Sequence, residues 1–98
     1  DAKPLRREAG TLVKTLREEA GMTQADLAEA MGYKFYTRVS QIERGIGRVP
    51  PEEFVPFAEA LGVEPRPFVR SLLSFYDPIV HDLAFPDAAR TSAAPLSA

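Results

Sequence analysis

The sequence predicts an all-α fold, on three observations. Apolar residues recur at intervals of three and four, glycines and prolines cut the chain into segments of helix length, and nowhere does a strand-like alternation or an internal repeat appear. With 98 residues, 45% of them apolar, the chain can build one domain around one modest core and is too short for a two-domain enzyme.

Leu5, Ala9, Leu12, Val13, Leu16 and Ala20 place one apolar stripe on a first helix, from about Pro4 to Ala20, with Pro4 suited to its first turn and Gly21 to its exit. In GMTQADLAEAMG, Thr23 is a natural N-cap. Asp26, three residues on, completes a capping box, and Met22 and Leu27 occupy the positions of a hydrophobic staple. Leu27, Ala28 and Met31 should face inward, and Gly32 can end this second helix in a left-handed conformation. A third helix, about Tyr36 to Arg44, has only Val39 and Ile42 for the core and leaves a wide polar face; Gly45 closes it. Pro51 opens a fourth, with Glu52 and Glu53 near its positive end and Phe54, Phe57, Ala58 and Leu61 facing inward. Pro56 inside that segment predicts a kink or a late start. A fifth helix runs from Pro65 to Tyr76, with Val63 and Phe68 as a second staple, and Asp77-Pro78 stops it. Ile79, Val80, Leu83 and Phe85 suit one short amphipathic turn, and from about Asp87 the small, Pro-containing remainder reads as disordered.

The net charge of −2 conceals an asymmetry. Between Tyr33 and Arg48, Lys34, Arg38, Arg44 and Arg48 outnumber the single anion Glu43, leaving +3, whereas the chain from Val49 onward carries −4. A polyanion feels mainly the near face, because salt screens charge beyond roughly 8 to 10 Å. The absence of cysteine removes disulfides and thiolate sites and fits a reducing cytoplasm, and a lone histidine, His81, cannot build a multi-histidine metal site. No serine elbow, metal-ligand cluster or paired acid and base appears, so no catalytic residue, no metal and no cofactor is expected; His81 beside Asp82 reads as a solvated or dimer-edge side chain. No apolar run approaches the ~20 residues a bilayer span requires.

The series LREEAGMTQADLAEAMG, VSQIERG and P-x-x-x-x-x-F-A-E-A-L-G-V closely resembles the phage-repressor and Cro-like helix-turn-helix regulators, the XRE family, over roughly Leu5 to Tyr76. Two departures stand out: the turn GYKFYT is one residue longer than is usual, and Pro56 replaces an exposed helix former. The resemblance implies a compact five-helix, lambda-repressor-like DNA-binding domain over residues 1–78. Residues 79–98 would then form an extension, a dimerisation turn followed by a disordered tail. Helix three would enter the major groove, with Tyr36, Thr37, Arg38 and Gln41 at base-contacting positions. Gln41 is the leading candidate because an amide can pair bidentately with adenine; the plain alternative for each is a solvated face. Gln24 is implied as a phosphate contact, with Thr23 beside it, though both also serve as caps. Lys34, Ser40, Arg44 and Arg48 complete the expected phosphate contacts. Arg17 and Glu43 match a pair that ties helix one to the end of helix three, a structural role. Tyr33 and Phe35 read as packing in the turn, because stacking by exposed aromatics belongs mainly to single-stranded recognition.

The function implied is a cytoplasmic, nucleoid-associated transcriptional regulator that binds double-stranded DNA as a homodimer on an inverted repeat, with no membrane role. The alternative is an antitoxin-type interaction module whose tail inhibits a protein partner.

Overall fold

The structure, a computed structural model, describes residues 3–86. Its elements are α1 (Lys3–Glu19), α2 (Gln24–Met31), α3 (Thr37–Glu43), a 3-10 turn (Pro51–Glu53), α4 (Phe54–Leu61), α5 (Pro65–Tyr76) and α6 (Pro78–Ala84). Among the described residues there is no strand. Six helices replace the five expected. The single turn anticipated after Asp77 is a seven-residue helix, because Asp77-Pro78 both stops and starts one: Asp77 breaks α5 with a non-helical backbone, φ −142° and ψ 73°, and Pro78 fills the first position of α6, where a missing N–H costs nothing. The tail from Asp87 lies outside the described residues.

The local signals act as their chemistry dictates. Asp26 N–H donates to Thr23 Oγ1 at 3.0 Å and Thr23 N–H donates to the Asp26 carboxylate at 2.8 Å, closing the capping box; the hydrogen bonds from Thr23 hold the Asp26 carboxyl below its ordinary pKa. Gly32 ends α2 at φ 76°, in the left-handed region that glycine enters without strain. α4 starts late, after the 3-10 turn, which leaves Pro56 as its third residue, where no intrahelical N–H bond is lost.

α1 packs against α3 and α5, and α4 bridges α2 and α5. Val13, Leu27, Val39, Ile42, Phe57 and Leu72 meet at the centre with no measurable exposure or nearly none. Every one of them carries the inward-facing spacing of its own helix, so one core forms where all the stripes converge.

Candidate functional site

α3 is held from behind and open in front. Val39 and Ile42 are buried, while Thr37, Arg38 and Gln41, together with the flanking Tyr36 and Arg44, are exposed, and Ser40 is half-buried. The helix is shorter than anticipated at both ends: Tyr36 is its N-cap and Arg44 its C-cap. Seven residues with two apolar anchors would not persist alone in water. Its pose is therefore set by what grips its ends.

At the C-terminal end the grip is a buried polar network. Arg17 Nε donates to Glu43 Oε2 at 2.6 Å and its Nη2 to Oε1 at 3.1 Å, a two-pronged pair with both side chains buried. The remaining Arg17 prong, Nη1, donates to the Met22 carbonyl at 2.7 Å, and Gln24 Nε2 donates to Glu43 Oε1 at 3.0 Å. Hydrogen bonding to Glu43 raises the Arg17 pKa further, so the charge is permanent. Among the described residues no buried side-chain polar atom lacks a partner, the condition under which a buried pair holds rather than weakens a fold. Gln24, expected at a phosphate, thus also braces α3.

Gly10 completes this end. A Cβ there would sit 2.5 Å from the Ile42 carbonyl oxygen and closer still to that of Glu43, so only glycine lets α1 and the last turn of α3 approach this closely. Gly10 is not among the residues expected at the site. Its signal in the sequence is a glycine in the middle of an amphipathic helix, where it costs ~1 kcal/mol against alanine unless packing requires it.

The N-terminal end is built from the turn GYKFYT. Tyr36 caps α3 without a side-chain hydrogen bond. Tyr33 packs against Phe57, ring centroids 6.4 Å apart, and its hydroxyl donates to Glu53 in the 3-10 turn. Burial, and then the hydrogen bond to Glu53, push the Tyr33 pKa up to about 12. Arg38 lies over the Tyr33 ring, 4.9 Å from its centroid, with Nη2 3.7 Å from Glu53. Half of its side chain stays in solvent, so it is steadied rather than sequestered. Phe35 departs from expectation. It is 65% exposed, not packed in the turn, and Tyr36 is 57% exposed, while Tyr33 alone of the three turns inward onto Phe57. The Lys34 ammonium lies 5.6 Å from the Phe35 ring centroid.

The remaining candidates separate. Arg44 is exposed beside the open face. Arg48 turns the other way: Nη2 meets Asp77 Oδ2 at 3.0 Å, and the guanidinium lies 4.4 Å from the Tyr76 ring centroid. Tyr76 in turn accepts the Val49 N–H at 3.1 Å, so the loop after α3 is strapped to the α5–α6 junction. His81 is largely covered, packed on Phe85 at 5.6 Å with Nδ1 3.0 Å from Asp82, rather than solvated. Among the described residues no group of three His, Cys, Asp or Glu side chains could hold a metal, and no helix is long and apolar enough to cross a membrane.

The arrangement offers a polar, cation-flanked helix face, with a second helix, α2, packed against α3. Residues 8–72 match the profile of a protein family described as a helix-turn-helix domain, about two thirds of the chain. No curated protein matches the chain.

Proposed function

The chain belongs to this helix-turn-helix family, and from that premise we propose that it is a sequence-specific regulator of transcription, of the Cro-like XRE type, that lays α3 in the major groove of double-stranded DNA. The observation that carries the reading is the division of α3: Val39 and Ile42 are given to the core, and Tyr36, Thr37, Arg38 and Gln41 share the exposed side. The major groove admits an α-helix, and the amides and guanidinium groups on that side are the chemistry that reads base edges. Thr23 and Gln24 at the start of α2, with Lys34, Ser40 and Arg44, would grip the phosphates on either flank. Arg48 joins them only by leaving Asp77. Residues 1–78 act as the reading domain and residues 79–98 as its extension, in the cytoplasm.

A homodimer supplies the symmetry. α6 holds Ile79 at 77% and Leu83 at 78% exposure, apolar side chains with no covering element among the described residues. A second copy would cover them and set two α3 helices on half-sites ~34 to 36 Å apart. The antitoxin reading rests on the tail, outside the described residues, and is tested by a pull-down for a stoichiometric partner. The test of the main reading is selection of bound sites from random duplex DNA. The expected outcome is an inverted repeat with half-sites about one helical turn apart; recovery of no enriched motif would overturn it.

A further inference from the structure

Phe35 is the residue whose position the fold leaves unexplained. A large apolar ring on a surface is common by itself, but this one is two residues ahead of α3, 65% exposed, and next to Tyr36 at 57%. It lines two neighbouring hollows. One is shared with Thr37 and Arg38 on the open side of α3, the other with Ala25 and Glu29 of α2. The ring therefore projects beside the side chains that face the groove, not on a remote part of the surface. Its nearest charge is cationic: the Lys34 ammonium sits 5.6 Å from the ring centroid, while Glu29 lines the α2-side hollow and Glu53 lies 3.7 Å from Arg38.

An exposed apolar ring with a lysine ammonium beside it suits an apolar feature on a polyanion. In the major groove that feature is the 5-methyl group of thymine, the one base-edge substituent that is recognised by contact with carbon rather than by hydrogen bonding. In a helix-turn-helix the N-terminal end of the second helix is the part nearest the base edges. We propose that Phe35 is a specificity-determining residue that selects a thymine in each half-site by packing on its methyl group, a role that rests on the duplex-binding reading above. The path of the turn GYKFYT makes it possible, since it carries Phe35 outward while Tyr33 keeps the inward place against Phe57.

The test replaces each thymine of the selected duplex, one position at a time, by deoxyuridine, which removes the methyl and keeps the base pair. Full-length wild type should lose about fourfold in affinity at one thymine per half-site, the effect of one buried methyl-sized group, and Phe35→Ala should bind the thymine and deoxyuridine duplexes equally. Because Phe35 is exposed, Phe35→Ala should keep the wild-type thermal melt, and Phe35→Leu should retain part of the discrimination. Wild type indifferent to every substitution, or Phe35→Ala discriminating as wild type does, overturns the proposal while duplex binding stands. Tighter binding to single-stranded than to duplex oligonucleotides, abolished in Phe35→Ala, assigns the ring to base stacking and overturns it too. Failure of wild type to bind any duplex sinks the underlying reading instead.

Discussion

The two ends of α3 are made differently. The C-terminal end is closed: Glu43 is buried, takes three hydrogen bonds from Arg17 and Gln24, and its backbone rests on Gly10. The N-terminal end is open: its cap makes no side-chain bond, and its aromatic and cationic groups lean on one another at the surface. The difference teaches a division of labour within seven residues. A helix this short is pinned by buried bonds at one end and only steadied by half-exposed contacts at the other, the end we propose meets the DNA.

The largest expected effect lies at the closed end. Arg17→Ala leaves the Glu43 carboxylate buried with only Gln24, and should cost about 3 to 5 kcal/mol of stability in urea denaturation. Replacing both partners by apolar residues, Arg17→Met with Glu43→Leu, should recover part of that loss. Gly10→Ala should come next at about 1 to 3 kcal/mol, because the clash with the Glu43 carbonyl outweighs the gain in helix propensity. Losses below 1 kcal/mol in both would remove the distinction between the ends.

At the open end the effects should appear in affinity, not stability. Gln41→Ala should cost roughly 1 to 3 kcal/mol on the selected duplex and relax one base pair per half-site, with an unchanged melt and salt dependence. Equal loss on scrambled duplexes would move Gln41 from reading to gripping. The two arginines beyond α3 sharpen the contrast. Arg44→Ala should shallow the slope of log affinity against log salt by about one for each phosphate the side chain no longer neutralises, whereas Arg48→Ala, whose charge is already engaged by Asp77, should leave the slope nearly unchanged. A salt titration of both variants decides it.

The smallest effect is a titration. Tyr33 is held neutral, its pKa pushed from the ordinary 10.0 to about 12, so its contribution to stability is complete below the unfolded value and is lost as pH rises through about 12. Burial also raises the Tyr76 pKa, so ultraviolet titration should show two of the three tyrosines, Tyr33 and Tyr76, ionising late. Tyr33→Phe should remove one of the two late ionisations, leaving that of Tyr76, and loosen Arg38, without the loss expected of Arg17→Ala.

Much of the scaffold is legible in the sequence because its signals are local. The Thr23–Asp26 box, Gly32 and the late start forced by Pro56 each depend on residues a few places apart. The features that escape depend on partners far along the chain. Nothing near Arg48 announces Asp77, nothing near Gln24 announces Glu43, and Gly10 has meaning only once α3 lies on it. Phe35 escapes for a different reason. Both Tyr33 and Phe35 read as turn packing, yet only Tyr33 faces inward, and hydrophobicity alone ranks the two the wrong way round.

The strap from Tyr76 and Asp77 to the loop after α3 bears on where this unit can be cut. The family match stops at residue 72, yet Val49, wholly buried, gives its N–H to Tyr76, and Arg48 lies on the same ring. A fragment trimmed to the matched boundary would keep all the parts of the motif and strand a buried donor, at a cost of about 1 to 3 kcal/mol. The smallest autonomous piece should therefore reach Asp77, and limited protease digestion of the folded protein should leave that junction intact.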